Sequence, residues 1–253
     1  MTAIEAIIRR ERAVLVVALV LVPLICWAWI VPMARDMYGP MTGPSSWMMT
    51  PAWDFRYTTL IAAMWIVMMI GMMLPSAAPT LLIYAAVVRR YEGPRAAMRV
   101  YSMAAGYVLV WVIFSVGATL LQRELSARVL SPMMKVVSPW AAAALLLVAA
   151  GYQMTPLKSS CLDSCRSPVD FIVSHMRQGV TGAFHLGIDH GVICVGCCWA
   201  LMLLLFAGGV MNLWTIASLT VFVVFEKLAP FGGRTRVVSA AGLVALAVWI
   251  LAV

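Results

Sequence analysis

The sequence predicts an all-α integral membrane protein that crosses a bilayer about seven times, with its N-terminus in the cytoplasm. Of its 253 residues, 64% are hydrophobic and 11% are charged, against roughly 45–50% apolar and about 25% charged residues in soluble domains. A soluble domain of this length cannot bury so much apolar surface. A disordered chain would be poor in hydrophobic residues and rich in charge. The composition therefore excludes both classes.

Seven apolar segments are close to the roughly 20 residues that a helix needs to cross a bilayer. We predict transmembrane helices at Ala13–Met33, Thr58–Val87, Val100–Leu121, Val137–Thr155, Leu186–Ala207, Met211–Leu228 and Val237–Ala252. The first segment is too long for a signal peptide and lacks a small-residue cleavage site, so we expect it to be retained. Only Gly208-Gly209-Val210 separates the fifth and sixth segments, which predicts a tight antiparallel hairpin. Without a repeat or linker, residues 1–253 are expected to form a single polytopic domain.

The basic residues predict the orientation of the helices. With the N-terminus inside, 13 of the 18 Lys and Arg residues fall in cytoplasmic segments and 5 in outer segments, and cytoplasmic loops are the ones enriched in these residues. The formal net charge of +8 then fits contact with anionic lipid headgroups. No nucleic-acid-binding motif accompanies this charge, so we expect the lipid bilayer, and not a nucleic acid, as a partner.

The strongest candidate site lies in the fifth predicted span. On a helix, His190, Cys194, Cys197 or Cys198, and Met202 lie along one stripe, because residues three and four apart are neighbours. Imidazole, thiol and thioether groups favour Cu(I), Zn(II) or iron–sulfur clusters over Mg²⁺ or Ca²⁺. The alternative is that these cysteines are small hydrophobic residues that only pack. Three cysteines within five residues, one turn from a histidine, favour a metal or redox site.

A second candidate site is the methionine-rich second span. Met64, Met68 and Met72 fall on one helix face, and their thioethers can bind Cu(I) without losing a proton. Methionines also fill gaps in ordinary helix packing, so the stripe alone decides little. Pro75 and Pro79 are expected to kink or break this helix. Under the predicted topology, Met68 and Cys197 both lie near the middle of the membrane, so the two spans could share one site.

Two further features lie near the predicted cytoplasmic face. Cys161 and Cys165 form a CxxxC pair in the loop from Pro156 to His185, where a short helix is predicted at Pro168–Gln178. On a helix the two thiols share a face, which suits metal capture or a redox pair; the alternative is two ordinary reduced cysteines. Glu226 ends an apolar span next to a lysine. It is either part of an interfacial ion pair or a carboxylate that binds a cation or accepts a proton.

The histidine in the fifth span follows an acidic residue directly. Asp189 could orient the imidazole of His190 as a hydrogen-bond partner behind a metal ligand. It could equally be a charged residue close to the membrane surface, because it lies within a turn or two of the predicted boundary.

Several of these segments resemble a bacterial family described as predicted metal-binding integral membrane proteins, the domain of unknown function two-one-eight-two. The matching segments are Met64–Pro79, Thr155–Lys158 with Cys161 and Cys165, His190–Met202, Gly209–Leu213 and Glu226-Lys227. The similarity runs from about Tyr57 to Lys227. It implies a membrane protein that binds metal, with no reaction assigned.

The residues and the resemblance together favour a copper-handling protein of the bacterial inner membrane, with zinc or iron as alternative metals. It would pass the ion across the membrane, or it would hand the ion to a partner subunit or a small metal-carrying protein. Because the chain has no nucleotide-binding loop, transport would be passive, ion-coupled or driven by a partner. Two alternatives stay open. One is a subunit of a membrane-bound oxidoreductase or monooxygenase acting on a small apolar substrate or quinol; the other is a structural subunit. Whether the chain is an enzyme is left open.

The predicted orientation places the segment from Lys158 to Arg177 in the cytoplasm. In a cysteine-depleted chain, a His175→Cys variant should react with a membrane-impermeant thiol reagent only after the cells are permeabilised. A Ser46→Cys variant, in the predicted outer loop, should react in intact cells. The opposite labelling pattern would overturn the orientation.

Overall fold

The computed structural model describes residues 3–39, 53–92, 96–131, 134–228 and 233–252, and these ranges are helical apart from turns and one isolated bridge between Leu130 and Val136. The prediction of an all-helical fold is confirmed. In chain order the described helices are α1 (Ala3–Met37), α2 (Phe55–Glu92), α3 (Ala96–Ser126), α4 (Pro139–Gln153), α5 (Pro156–Arg166), α6 (Pro168–His175), α7 (Gly179–Met202), α8 (Leu204–Gly208), α9 (Leu213–Leu228) and α10 (Arg234–Ala252).

Five helical stretches in the described ranges are long and apolar enough to cross a membrane, which supports a membrane protein. They are Ala13–Met37, Phe55–Arg90, Ala96–Ser126, Gly179–Gly208 and Arg234–Ala252. Helices α4 and α5 meet at an angle of 66° and would add a sixth span if the bent pair counts as one. Helix α9 has only 16 residues, short of the roughly 20 that a span needs. The count of seven and the orientation stay predictions.

Helix α2 runs unbroken through Pro75 and Pro79, so the expected break does not occur. Proline removes a backbone donor, but in an apolar setting neighbouring side chains can supply hydrogen bonds to the backbone of such a helix. Here the Met73 carbonyl accepts hydrogen bonds from the hydroxyls of Ser76, at 2.8 Å, and Tyr107, at 3.0 Å. The hydroxyls support this stretch of α2 where the prolines weaken it.

The predicted loop after α4 is instead largely helical. Pro156 occupies the first turn of α5, and the hydroxyl of Thr155 accepts a hydrogen bond from the Lys158 backbone N–H at 3.2 Å. This is a common way to begin a helix. The predicted short helix is present as α6, which ends at His175 instead of Gln178. The CxxxC pair therefore lies on a helix, as its spacing requires for the two thiols to share a face.

The connection between α8 and α9 turns at Gly209, whose φ of 96° lies in the left-handed region that glycine adopts readily. Lys227 on α9 reaches back to Cys194 on α7, so the two helices run antiparallel as predicted. The hairpin is wider than expected, because an apolar cavity of about 610 Å³ lies between α9 and helices α4, α7, α8 and α10. Helix α9 packs chiefly against α2.

Helices α3 and α7 make the most extensive contact in the described structure, and two glycines permit it. A β-carbon at Gly106 would collide with the backbone carbonyl of Phe184, and one at Gly187 would collide with the carbonyl of Met103. The two backbones therefore touch directly. This close approach brings α7, which carries the cysteine block, against α3.

Substitution at these glycines should separate α3 from α7. We expect Gly106→Ala to destabilise the protein by about 1–3 kcal/mol, the usual cost of overpacking a tight contact. Gly117→Ala, on the same helix, has open space around the added methyl group and should be neutral or stabilising, because alanine favours a helix by about 1 kcal/mol over glycine. Unfolding midpoints of the two variants in detergent test this. Equal midpoints would contradict it.

Candidate metal centre

The α7 stripe predicted from helical spacing faces the protein interior. His190, Cys194, Cys197, Cys198 and Met202 are each exposed by 3% or less. Val192, on the other side of the helix, is 57% exposed. The soft donor groups of α7 therefore point into the bundle and not toward its outer surface.

The structure brings the two cysteine motifs together although they are more than 25 residues apart in the sequence. The thiol of Cys165 on α5 lies 4.0 Å from that of Cys197 on α7. The Cys161 sulfur lies 2.8 Å from the position that a β-carbon at Gly196 would occupy. Because Gly196 has no side chain, α5 can lie close to α7 with its thiols facing the block. All six cysteines of the chain are free.

Local hydrogen bonds orient the thiols of α7. Both the Cys197 and Cys198 thiols donate to the backbone carbonyl of Cys194, at 3.1 and 2.9 Å. The Cys194 sulfur lies 3.2 Å from the hydroxyl of Tyr107. The same hydroxyl donates its proton to the carbonyl of Met73. Tyr107 thus joins α3 to the cysteine block on one side and to α2 on the other.

A buried lysine lies directly against these thiols. The Lys227 ammonium is 2.8 Å from the Cys194 sulfur and 3.1 Å from the Ser76 hydroxyl, and the residue is 6% exposed. Within the described ranges it forms no ion pair with a carboxylate. Through this contact α2, near Ser76, lies close to the α7 block. The site also carries a positive charge that the sequence interpretation had placed at the membrane surface.

Glu226, the neighbour of this lysine, is paired elsewhere. Its carboxylate lies 2.7 Å from the Lys158 ammonium, and both side chains are almost fully buried. Its other oxygen has no hydrogen-bond partner among the described residues. The guanidinium of Arg166 donates to the Glu226 backbone carbonyl at 3.0 and 2.7 Å. The carboxylate therefore neutralises Lys158 and does not pair with the adjacent Lys227, and a role for Glu226 as a cation ligand or proton acceptor stays a prediction.

His190 lies among aromatic rings. Its ring centroid is 5.5 Å from that of Tyr107 and 5.1 Å from that of Phe171, and its Nδ1 atom is buried with no hydrogen-bond partner in the described structure. Asp189 pairs instead with Arg177 at 3.2 Å. The expectation that Asp189 orients the imidazole is therefore not met.

The methionines of α2 named as candidate ligands, Met64, Met68 and Met72, are fully buried. Within the described ranges, no three His, Cys, Asp or Glu side chains are grouped closely enough to hold a metal ion. Among the described side chains, the contact between the thiols of the two motifs is the one between Cys165 and Cys197. Sequence reasoning missed Lys158, Lys227 and Tyr107 as parts of the site. The sequence did offer one clue to the lysines, because each lies at the end of an apolar segment. A charged residue at that position can face the bundle interior as well as the headgroups.

Comparison with known families agrees with this chemistry. A family model named PpoB2 and described as a copper chaperone matches residues 62–251, about three quarters of the chain. The chain therefore belongs to the PpoB2 copper chaperone family. The match includes both cysteine motifs, Lys158 and Lys227, and leaves out Cys26. No curated protein and no solved structure matches the chain.

The buried ion pair should be costly to break from one side. Lys158→Met leaves the Glu226 carboxylate buried without a cation and should destabilise the protein by about 3–5 kcal/mol. The double variant Lys158→Met/Glu226→Met removes both charges and should recover most of that loss. Unfolding midpoints in detergent measure both changes. A double variant no more stable than Lys158→Met would show that the pair does not behave as a neutralised unit.

Proposed function

We propose that this member of the copper chaperone family binds Cu(I) in a membrane, through the thiolates of Cys165 and Cys197, and passes it to a partner. The observation that carries this proposal is the 4.0 Å separation of the two sulfurs. With a metal–sulfur bond of about 2.3 Å, the zinc–sulfur value, two thiolates on one ion lie at most about 4.6 Å apart. The two sulfurs can therefore share an ion with little movement.

The donor set favours Cu(I) over other metals. Thiolate and thioether ligands are soft and select Cu(I), and Cu(I) is stable with as few as two thiolates. Structural zinc almost always takes four ligands. Since the described His, Cys, Asp and Glu side chains form no group of three that could hold an ion, a pair of thiolates suits copper best. Zinc and iron are the less suited alternatives.

The charges around the thiols support binding. Lys158 and Glu226 neutralise each other, so Lys227 supplies positive charge to Cys194. A cation at that distance stabilises a thiolate by Coulomb attraction, which is strong where water is excluded. Metal binding requires deprotonated thiols, and Lys227 stabilises that form before the ion arrives. In this way Lys227 prepares the site without being a ligand.

The exposure of the cysteines supports a direction for copper entry. Cys161 and Cys165 on α5 are partly exposed, whereas Cys194, Cys197 and Cys198 are buried. A partner protein could therefore deliver copper to α5, and the ion would then move inward to α7. Under the predicted orientation α5 faces the cytoplasm of a bacterium, and the membrane is the inner membrane. His190, with its unpartnered Nδ1, is proposed as a further donor next to the thiols.

The apolar cavity between α9 and helices α4, α7, α8 and α10 gives no support to the alternative of an oxidoreductase or monooxygenase subunit. A small apolar substrate would need an apolar cavity next to the metal ligands. The cavity of about 610 Å³ is apolar, but none of its lining residues is a cysteine, histidine, methionine or carboxylate.

Replacing either bridging cysteine should weaken copper binding. Cys165→Ser and Cys197→Ser exchange a soft donor for a hard one, and we expect the affinity for Cu(I) to fall at least about tenfold, the lower end of what loss of a supporting residue costs. Cys26→Ser is the matched control, because Cys26 is also buried but belongs to α1. Titration of the purified chain against a Cu(I) chelator measures the affinities. Equal affinities in all three variants would refute the proposed site.

A further inference from the structure

We infer that the buried methionines form a route for Cu(I) from the cysteine cluster to the opposite end of the helix bundle, and this inference rests on the proposed function. The buried methionines are Met33, Met37, Met64, Met68, Met69, Met72, Met73, Met103, Met134, Met202 and Met211. Thioethers are neutral soft donors. They can hold Cu(I) weakly inside an apolar bundle without a charge of their own.

The route begins at the cysteine cluster. The Tyr107 hydroxyl contacts both the Cys194 sulfur, at 3.2 Å, and the carbonyl of Met73, at 3.0 Å. Lys227 joins the same sulfur to Ser76, three residues further along α2. The Met73 end of the α2 methionines is therefore linked to the thiols through Tyr107 and Lys227.

The middle of the route follows α2. Met72, Met68 and Met64 are spaced four residues apart, and each is fully buried. Neighbours at this spacing lie one helical turn, about 5.4 Å, apart. From Met73 to Met64 the helix rises by about 14 Å, at about 1.5 Å per residue. At the Met64 end of this stretch, Met202 of α7 lines an apolar cavity of about 200 Å³ together with Trp65, the sequence neighbour of Met64.

Methionines continue to the far end of the bundle. The β-carbon of Cys26 lies 2.9 Å from the position that a β-carbon at Gly71 would take. Because α1 and α2 run in opposite directions, this register places Met33 at about the level of Met64. Met37 lies one turn beyond it. Tyr38 directly follows α1, and its hydroxyl lies 2.8 Å from the position that a β-carbon at Gly209 would take.

The far end of the bundle holds two more thioethers. The Val210 backbone N–H donates to the Met134 carbonyl at 3.4 Å, so the segments that carry Met134 and Met211 lie together. Both methionines are buried. They complete a series that begins at the thiols and ends where α1 and the turn before α9 meet.

Ordinary packing also uses methionine, because its flexible side chain fills gaps. Packing alone gives no reason for the buried series to begin at a cysteine cluster and continue through the whole bundle. The exposed methionines with described side chains, Met98, Met154 and Met176, lie outside the series and provide a matched control.

The test compares copper movement in two triple variants. The full chain is reconstituted into lipid vesicles that enclose an impermeant colour-forming Cu(I) chelator, and Cu(I) kept reduced with ascorbate is added outside. The route variant is Met64→Leu/Met68→Leu/Met72→Leu, and the control is Met98→Leu/Met154→Leu/Met176→Leu. Leucine conserves volume and is well tolerated in cores, but it has no donor atom. We expect copper to reach the chelator with the wild type and the control, and the route variant to fall to the rate of empty vesicles.

Binding measurements separate the possible failures. The route variant should keep wild-type Cu(I) affinity at the cysteines, and this affinity also shows that the variant is folded. The single variant Met68→Leu should show a partial loss of copper transfer into the vesicles. Wild-type rates in the route variant would overturn the inference. So would a wild type that binds Cu(I) but moves none, in which case the proposed binding function would stand. A wild type that binds no Cu(I) would overturn both.

Discussion

One turn of α9 holds the functional part of the molecule together. Through Glu226 it pairs with Lys158 on α5, and through Lys227 it contacts Cys194 on α7 and Ser76 on α2. Each of these charges would cost several kcal/mol to bury alone, so the groups that compensate them cannot separate cheaply. The position of α5 over α7, and with it the approach of the two cysteine motifs, depends on this set of contacts.

The arrangement separates the tasks of the site among different side chains. In the function proposed above, the partly exposed thiols of α5 meet a partner, the buried thiols of α7 hold the ion, and the lysine supplies charge without competing as a soft ligand. Soft donors and a cation that stabilises thiolates are what a protein needs to hold Cu(I) and release it again. Membership of a copper chaperone family is consistent with such reversible binding.

Apolar length was sufficient to predict the long helices but not α5, which lies in a predicted loop. Helical spacing was sufficient for the buried face of α7, because it decides which residues share a face. It could not predict that Cys165 meets Cys197, since that contact depends on the 66° bend between α4 and α5 and on the missing side chain at Gly196. The sequence also could not predict which way the Lys227 side chain points. A lysine at the end of an apolar segment can extend to the headgroups or turn inward, and only its neighbours on other helices decide which.

The hydroxyl of Tyr107 has a single proton to share. The Tyr107 oxygen lies 3.0 Å from the Met73 carbonyl and 3.2 Å from the Cys194 sulfur, so this proton can serve only one of the two acceptors at a time. A Cys194 thiolate can only accept hydrogen bonds and would compete with the Met73 carbonyl for that proton. When the proton turns toward the sulfur, the Met73 carbonyl keeps only the Ser76 hydroxyl as a side-chain donor, in the stretch of α2 that contains the two prolines. The protonation state of one sulfur is thereby coupled to the backbone of a neighbouring helix, and the stretching frequency of that carbonyl would report it.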